Sequence, residues 1–350
     1  MKPYSVKKLS EVGTISSVRK GGVYPKGSTL VQISASNGEV CYLEQESSVD
    51  SRFVVIQSLG LNDKYLNFII HKNISKFMFK YKQGLNISKN DLQYLPIEIL
   101  SDDIIEKLPN VIWLVNQLIN NIQHKIELLN KTKKGFLQKM FPKNGAKVPE
   151  IRFSGFTEDW EERKLGDVLV LLKDGTHVTH KDVDEGMYLL SAKNIKNGKI
   201  NIDESDRIIS EDEYKSIHKN FNLEKGDVLL TIVGSIGEAA VLENPFKLTF
   251  QRSVAYLRPN GTLTSQFLYT TIMSTKFQRE LKKRQVVSAQ PGIYLGDLSM
   301  IPIELLCMEE QQKIGTFFKQ LDDTITLHQR KLDLLKEMKK GFLQKMFTEN

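Results

Sequence analysis

Imidazole and carboxylate side chains are concentrated in one short stretch of the chain, residues 174–184. The stretch contains Asp174, His177, His180, Asp182 and Asp184. Imidazole nitrogens and carboxylate oxygens are common metal ligands, so these side chains could hold a cation. The stretch also has the composition of an ordinary polar loop, and the other four histidines are scattered along the chain. We favour the polar loop and expect no metal site.

No other catalytic or cofactor-binding pattern is recognisable in the sequence. Residues 22–28 superficially resemble a phosphate-binding loop, but they lack its Gly-Lys-Ser/Thr order because Lys26 precedes Gly27. Cys41 and Cys307 are the only cysteines, which excludes a disulfide framework and a cysteine-based zinc site. We therefore expect no catalytic residue and no bound cofactor in this chain.

Basic and polar side chains that could bond to an anionic partner occur in loop-like segments of both halves of the chain. These candidate binding residues are Arg19, Lys20, Tyr24, Lys26, Lys80, Lys82, Lys173, Thr176, His177, Lys193, Asn194, Ser235 and Gln290. Alternatives stay open for three of these segments. Residues 234–237 also suit a simple hairpin, residues 193–194 a solvated turn, and residues 80–82 a soluble helix end.

Short β-like runs would hold these loops in place. In the first half the runs are residues 29–33, 39–43 and 53–56, with Asn37-Gly38 as a hairpin turn between the first two. In the second half they are residues 188–190, 227–232 and 253–257, and residues 266–284 suit a helix. This mixture predicts an α+β fold.

A long internal repeat divides the chain. Residues 133–141 read KKGFLQKMF, and residues 339–347 read the same, 206 positions later. The same offset relates residues 95–99 to residues 301–305, whereas residues 8–12 resemble residues 164–168 at an offset of 156. The first copy is therefore the shorter one, and its deficit lies in its front half. The predicted order is globular unit, helix, globular unit, helix.

Each repeat ends in a segment with the apolar pattern of a long helix. In the second segment the heptad seam includes Leu321 and Leu332, and in the first it includes Leu108, Val111 and Leu118. Pro109 and Gly315 occupy matching positions, so we expect both helices to start or bend there. We predict helices of about 45 to 57 Å that pair as an antiparallel coiled coil. Two helices packed separately on their own domains are the alternative.

Large side chains off the predicted seam are candidates for contacts with partner proteins, with core packing as the alternative. They are Trp113, Leu114, Phe318 and Leu327.

The net charge of +7, from 49 basic and 42 acidic residues, is carried by the two helical segments. Residues 104–141 account for +4 and residues 310–347 for +3, so the remainder of the chain is neutral. No stretch approaches the roughly 18 apolar residues of a membrane span, and the first residues lack the apolar core of a signal peptide. We therefore expect a cytoplasmic protein that binds any nucleic acid through local clusters.

Several phrases together resemble the specificity subunits of type I restriction–modification enzymes. They are the repeated KKGFLQKMF, Asp174-Gly175-Thr176-His177, residues 191–195 (SAKNI), residues 226–237 and residues 309–312 (EEQQ). The resemblance covers nearly the whole chain. It implies two target recognition domains, each reading one half of a split DNA sequence, and it makes the candidate binding residues above the predicted DNA-binding residues. The first domain lacks counterparts of the DGTH and SAKNI segments, and no Pro-Pro pair of the kind that a DNA amino-methyltransferase needs occurs in the chain.

The resemblance also implies a division of labour among subunits. This chain would bind double-stranded DNA, two modification subunits and, optionally, restriction subunits. S-adenosylmethionine, and ATP with magnesium for restriction, would belong to those partners. A coiled-coil scaffold without DNA recognition and a stand-alone DNA-cleaving enzyme remain as alternatives.

The predicted domain boundaries follow from the repeat and the resemblance. Residues 1–103 form a short first recognition domain and residues 104–141 the first helical spacer. Residues 142–163 form a linker, residues 164–309 the second recognition domain and residues 310–347 the second spacer.

Overall fold

A computed structural model describes residues 4–19, 21–33, 38–81, 87–143, 146–286 and 291–347. For residues 346 and 347 only the backbone is described. The chain forms two compact units. Unit 1 combines residues 1–124 with residues 329–350, and unit 2 comprises residues 125–328. Each unit therefore includes part of both long helices, whereas the boundaries predicted from the sequence assign each helix to a block of its own.

Over the described residues, the first part of unit 1 contains eight strands and three short or medium helices before the first long helix. The strands are β1 (Ser5–Lys8), β2 (Gly13–Ser17), β3 (Val23–Tyr24), β4 (Thr29–Gln32), β5 (Val40–Tyr42), β6 (Ser47–Ser48), β7 (Phe53–Ser58) and β8 (Pro96–Ile99). The helices are α1 (Leu9–Val12), α2 (Asp63–Tyr81), α3 (Lys89–Leu92) and the long α4 (Asp102–Lys139).

Four antiparallel strands form the main sheet of unit 1, in the order β2-β7-β4-β5. Helix α2 begins where the Asn62 side chain accepts a hydrogen bond from the N–H of Tyr65 at 3.0 Å, which caps a free donor of the first turn. Its apolar stripe, including Leu66, Ile69 and Ile70, is buried with the inner face of the sheet. Burial of each such side chain contributes about 1.5–3 kcal/mol, so this stripe anchors the unit.

Unit 2 contains eleven further strands, five further α-helices and two short 3₁₀ helices, counted over the described residues and including α9, which continues beyond the unit. The strands are β9 (Glu161–Lys164), β10 (Leu169–Asp174), β11 (Met187–Leu190), β12 (Ile195–Lys196), β13 (Lys199–Ile200), β14 (Arg207–Ile209), β15 (Val228–Thr231), β16 (Ala239–Val241), β17 (Leu248–Phe250), β18 (Val254–Pro259) and β19 (Pro302–Leu305). The α-helices are α5 (Glu211–Ile217), α6 (Ser265–Met273), α7 (Thr275–Lys283), α8 (Leu295–Ser299) and α9 (Met308–Phe347), and Leu165–Val168 and Ala192–Asn194 form short 3₁₀ helices.

The main sheet of unit 2 has four antiparallel strands in the order β10-β18-β15-β16. A second sheet has the order β14-β11-β17, in which β11 and β17 are parallel. The predicted helix over residues 266–284 is divided into α6 and α7, because the Ser274 hydroxyl accepts a hydrogen bond from the N–H of Phe277 and caps a new helix there.

The two main sheets have the same strand order and the same hydrogen bonds. The Gly27 N–H donates to the carbonyl of Leu43 at 2.9 Å, and the Gly226 N–H donates to that of Leu242 at 2.8 Å, 199 positions later in both residues. Gly27 and Gly226 have φ of +91° and +96°, a left-handed conformation that favours glycine. The repeat is therefore one fold built twice.

The copies differ in the connection from the first strand of this sheet to the next. Residues 18–28 join β2 to β4, whereas residues 175–227 join β10 to β15 and carry the whole of β11 to β14. Most of the predicted deficit of the first copy therefore lies in this one connection, and the DGTH and SAKNI segments lie within or at the start of the longer one.

The two long helices pair antiparallel within each unit. In unit 1 the Lys339 ammonium donates to the Asn116 side chain at 2.7 Å, and Leu343 packs on the cluster that contains Ile112. In unit 2 the Lys133 ammonium contacts Asp322 at 2.5 Å. The rings of Phe136 and Phe317 lie edge to face with centroids 5.0 Å apart. In both units, the residue numbers on α9 decrease as those of their partners on α4 increase. The predicted antiparallel pairing is therefore confirmed.

The predicted helices differ from the structure in two details. Helices α4 and α9 begin at Asp102 and Met308 and continue through Pro109 and Gly315, so neither helix starts there, and a bend at these residues stays a prediction. The predicted seam residues Val111 and Leu118 are 43% and 48% exposed, while their neighbours Ile112 and Ile119 are buried. The sequence offers both sets at heptad spacing, and the folded chain buries the two isoleucines.

The short pair β1–β8 of unit 1 and the pair β9–β19 of unit 2 also have the same register. Lys8 lies opposite Pro96 in the first, and Lys164 lies opposite Pro302 in the second. Among the described residues, no helix combines the length and apolar character required to cross a bilayer.

Candidate nucleic-acid interface

Three segments of unit 2 meet at one end of its main sheet. They are residues 174–177 after β10, residues 232–234 after β15, and residues 291–295 before and at the start of α8. The N–H of Thr176 donates to the carbonyl of Phe250 at 2.9 Å, and the N–H of Ile293 donates to that of Ile232 at 3.0 Å. The sheet therefore holds separate polar loops side by side.

These segments line a cleft of about 420 Å³. Its walls include Asp174, His177, Val233, Arg252 and Tyr294. Tyr294 is 68% exposed, and Arg252 is exposed and makes no ion pair with any described residue. An unpaired guanidinium beside an aromatic ring suits a phosphate or a base edge, because arginine can donate two parallel hydrogen bonds.

Gly175 brings the first segment close to the sheet. A Cβ at this position would overlap the backbone carbonyls of Phe250 and Gln251, so a larger residue would push the segment away. Its own N–H donates to the carbonyl of Val254 at 3.0 Å. The glycine of the Asp-Gly-Thr-His phrase thus fixes the positions of its polar neighbours.

The polar neighbours of Gly175 have separate partners. The exposed His177 ring bonds through Nε2 to the Asp174 carboxylate at 2.5 Å. His180 is buried, with its ring nitrogens 2.9 Å from the Thr176 hydroxyl and 3.3 Å from the Glu213 carboxylate. Among the described residues, no three His, Cys, Asp or Glu side chains are grouped as a metal site. The histidines therefore hold the loop conformation, and His177 remains accessible.

Asn194 is incorrectly placed among the DNA-binding residues. It is 3% exposed, its amide nitrogen donates to the Asn201 carbonyl at 2.9 Å and to Asp206 at 2.8 Å, and its oxygen accepts from the N–H of Ser191. An amide with all these partners inside the protein cannot also bond to a base. Lys193 is exposed and pairs with the buried Asp206 at 2.7 Å, an interaction that raises the pKa of the lysine.

Other predicted residues of unit 2 lie around this end of the sheet. Ser235 is exposed at the tip of the β15–β16 hairpin. The segment is therefore the hairpin named as the alternative, and its serine side chain is accessible. The Lys173 ammonium lies 5.1 Å from the centroid of the Phe221 ring. Gln290 lies outside the described residues.

Unit 1 places its predicted residues in the short connection after β2 and at the end of α2. Arg19 is exposed and its N–H donates to the Tyr24 hydroxyl at 2.9 Å, which closes the loop, and Lys26 is exposed. The Lys80 ammonium lies 5.3 Å from the centroid of the Tyr81 ring. Lys20 and Lys82 lie outside the described residues.

Three of the four predicted partner contacts are exposed. Trp113, Leu114 and Leu327 are 45%, 55% and 66% exposed. The prediction of a partner contact at Phe318 is wrong, because this side chain is fully buried in the core of unit 2. It falls on the face of α9 that packs against the globular part of the unit, whereas Leu327 lies off that face.

Two residues of the cleft, Arg252 and Tyr294, are not among the residues predicted from the sequence. Each lies just outside a regular element, Arg252 before β18 and Tyr294 before α8, in segments without a composition signal. Their position beside a predicted strand or beside Gly292 is the only signal that the sequence offers.

The Glu-Glu-Gln-Gln phrase has a structural role. Glu310 is fully buried and accepts two hydrogen bonds from Arg152 of the linker, at 2.7 and 2.8 Å. The buried Gln311 side chain accepts from the N–H of Thr264, just before α6, and donates to two carbonyls. These contacts fix the linker and α6 to the start of α9.

The family model and the similar proteins found by comparison all point to the same family. Residues 157–337 match the family model of the type I restriction modification DNA specificity domain. The type I restriction enzyme MjaVIII specificity subunit of Methanocaldococcus jannaschii is 26% identical over 337 residues, covering 91% of this chain and 78% of that protein. The type I restriction enzyme EcoBI specificity subunit of Escherichia coli is 24% identical over 304 residues, covering 81% of this chain and 62% of that protein.

A solved structure has the same fold. The crystal structure of the type I restriction–modification system S subunit from M. genitalium aligns with a TM-score of 0.71 and 16% identity. The alignment covers 99% of this chain and 96% of that chain.

Proposed function

The chain belongs to the family of type I restriction modification DNA specificity domains, and we propose that it is the DNA-specificity subunit of a type I restriction–modification complex. The observation that carries the proposal is the duplicated fold. One chain contains two copies of a sheet that presents polar loops at its end, which suits a target read as two separate half-sites.

In unit 2 we assign half-site recognition to the cleft around Arg252. Arg252 and His177 would contact base edges or phosphates, with Tyr294 as an apolar wall and Ser235 and Lys193 at the periphery. Residues 142–309, the part of unit 2 between the two helical segments, sum to a net charge of −2, so this part lacks a general attraction to DNA. Binding through a few local groups favours sequence recognition over nonspecific attachment.

In unit 1 the connection from β2 to β4 is equivalent to the much longer connection from β10 to β15 in unit 2. This shorter connection contains Arg19, Tyr24 and Lys26. We assign this loop and the Lys80 region to the second half-site. The structure of the loop, closed by the bond between Arg19 and Tyr24, presents cations with few other polar side chains.

Catalysis in this proposal belongs to partner subunits. Two modification subunits would bind the helix pair and supply S-adenosylmethionine, and restriction subunits would supply ATP and magnesium for cleavage. The complex would act on DNA in the cytoplasm. The exposed Trp113, Leu114 and Leu327 on the helices support a docking role for those surfaces. A DNA-free scaffold and a stand-alone nuclease have no comparable support.

The proposal is tested by exchanging the second recognition domain. Residues 164–305 are replaced by the matching segment of a relative with a different target, and the chain is assembled with its modification subunits. Methylated sites are then mapped in a random DNA library. We expect one half of the methylated sequence to change and the other half to stay the same.

The matched control exchanges residues 8–99 instead, which should change the opposite half. If either exchange altered both halves, or if the parent complex methylated no bipartite sequence, the assignment of one half-site to each unit would be incorrect.

A further inference from the structure

Each unit has a pocket at the same position in its fold. The pocket of unit 1 lies between β5, α2, α4 and α9, and that of unit 2 lies between β13, β16, α6 and α9. Equivalent residues line both, at offsets of 199 for the sheet, 202 for the starts of α2 and α6, and 206 for the long helices. The matching pairs are Tyr42 and Val241, Glu44 and Glu243, Asn67 and Tyr269, and Asn116 and Asp322. The internal repeat therefore allows a direct comparison of the two pockets.

An internal ion pair satisfies the polar wall of the unit 2 pocket. The Asp322 carboxylate lies 2.5 Å from the Lys133 ammonium, and it accepts a hydrogen bond from the Tyr269 hydroxyl at 3.1 Å. The side chains of Lys133 and Asp322 are only 16% and 20% exposed. Because this buried cation has a carboxylate partner within the chain, it needs no anion from outside.

The unit 1 pocket has the same lysine without the acid. Lys339 is the counterpart of Lys133, and the neutral Asn116 takes the place of Asp322. The half-buried Lys339 ammonium donates to the Asn116 side-chain oxygen at 2.7 Å, and it makes no ion pair with any described residue. Glu44 also lines the pocket, but it is exposed and makes no ion pair with Lys339. Lys339 thus lacks the counter-charge that its copy in unit 2 has.

The positive charge of the unit 1 pocket is not confined to Lys339. Lys64 and Lys72 also line it, and Lys72 pairs with Glu98 at 2.6 Å. Burial lowers the pKa of Lys339, and burial together with the charge of Lys339 lowers the pKa of His71. A cation that is removed from water without an acidic partner is costly, so this pocket stabilises an anion that enters it.

The rest of the unit 1 wall is apolar and rich in aromatic rings. Its side chains are those of Tyr42, Phe68, Pro109, Ile112, Trp113 and Leu343. The three from α4 share one side of the helix with Asn116, because their positions follow the spacing i, i+3, i+4 and i+7. One entering molecule therefore meets the apolar wall and the Lys339–Asn116 pair together.

The unit 1 pocket has room for a single ring. Its volume is about 260 Å³. An apolar cavity of roughly 150 Å³ holds a benzene molecule, and sites for larger ligands begin near roughly 300 Å³. The volume thus suits one ring with a small acidic group, and an aromatic ring packs favourably against the aromatic rings of the wall.

We propose that the unit 1 pocket binds a small aromatic carboxylate, whose acid group pairs with the Lys339 ammonium and whose ring packs against Trp113, Phe68 and Leu343. The N–H₂ group of Asn116 makes no hydrogen bond with a described residue, so it can donate to the second carboxylate oxygen. A ligand in this place contacts α2, α4 and α9 at once. Its binding therefore stabilises the packing of the helix pair on the globular part of unit 1.

Titration of the full-length chain with benzoate, followed by calorimetry, tests the site. We expect a Kd of about 1 mM or tighter, which a ligand of so few atoms can reach. Benzamide has the same shape without the charge, and inorganic phosphate has charge without the ring. Both should bind at least about tenfold more weakly than benzoate, because each lacks one of the two sets of contacts.

Two variants locate the binding. Lys339→Met removes the cation, and Asn116→Asp gives Lys339 the internal partner that Lys133 has in unit 2. Each should weaken benzoate binding at least about tenfold, since a hydrogen-bonded charge pair with the ligand is lost. Asn116→Asp adds an ion pair and should not lower the unfolding temperature of the ligand-free chain, so its result stands even if Lys339→Met folds poorly.

Matched controls make the same exchanges outside the pocket. Lys340→Met and Asn121→Asp alter exposed residues of α9 and α4 that do not line it. Both should bind benzoate within about twofold of the parent chain. Benzoate should raise the unfolding temperature of the parent and of these two controls, and it should leave that of Asn116→Asp nearly unchanged.

Three results would overturn the proposal. The parent chain could show no benzoate binding up to about 10 mM. Equal binding by the parent and by Asn116→Asp would place the ligand elsewhere on the chain. Phosphate that binds as tightly as benzoate would identify a site for any anion. The proposed role in DNA specificity stands or falls independently of all three.

Discussion

Single residues at the end of the unit 2 sheet have two kinds of role, which exposure and hydrogen bonding distinguish. Asn194 and His180 use their polar atoms inside the protein, whereas His177 and Arg252 present theirs outward. Sequence alone identifies polar loop residues but cannot make this distinction, because it depends on which loop packs against which strand. For that reason Asn194 was predicted as a DNA contact and Arg252 was missed.

Replacement of Arg252 tests the role of the cleft. Arg252→Ala should weaken binding of the target by about 1–3 kcal/mol and relax specificity within one half-site, because a guanidinium contact to a base edge is lost. Binding is measured by titration of labelled DNA with the assembled complex. Lys215→Ala removes a cation whose partner is Glu211 on α5, and it should leave the half-site unchanged. Equal losses in both variants would argue against a specific contact.

Replacement of Asn194 should act on folding instead. Asn194→Ala leaves the buried Asp206 and the N–H of Ser191 with fewer partners, so the free energy of unfolding should fall by about 1–3 kcal/mol. Denaturant unfolding of the full chain measures this loss. Under conditions where the variant is folded, its target sequence should match that of the parent; an altered sequence would restore Asn194 as a DNA contact.

At the scale of elements, the short β-like runs and the long helices follow from periodicity. The predicted strands over residues 29–33, 39–43, 53–56, 188–190, 227–232 and 253–257 correspond to β4, β5, β7, β11, β15 and β18. The predicted α4 seam is correct at the buried Leu108 but wrong at Val111 and Leu118, since apolar side chains occupy two adjacent heptad faces. Only the contacts of the folded chain select Ile112 and Ile119 over Val111 and Leu118.

Lengthening both long helices tests their role as spacers. One heptad inserted after His124 and another after His328 adds about 10 Å to each helix and preserves the paired faces. We expect the unread gap between the half-sites to widen by roughly 3 base pairs, at 3.4 Å per pair, with both half-sites unchanged. Methylation mapping in a random library measures the gap. An insertion in only one helix should abolish bipartite methylation, and an unchanged gap would mean that the helices do not set the distance.

At the scale of the whole molecule, the duplicated architecture could be predicted because the repeat is long and includes rare residues. Which residues belong to each compact unit could not be predicted, since contiguous sequence gives no sign that each unit includes part of both helices. The significance of the difference between Asn116 and Asp322 could not be predicted from the sequence either. The difference appears in the printed sequence as one ordinary substitution, and its meaning depends on the lysine that faces it across the helix pair.

The shared hydrogen bonds of the two main sheets have an evolutionary consequence. Gly27 and Gly226 begin equivalent strands in the same way, although the connections that precede them differ greatly in length. After gene duplication, the segment before this glycine can accordingly be enlarged, shortened or exchanged without rebuilding the core. The junction is a natural grafting point, at which a protein engineer could transplant residues 175–227 as a cassette.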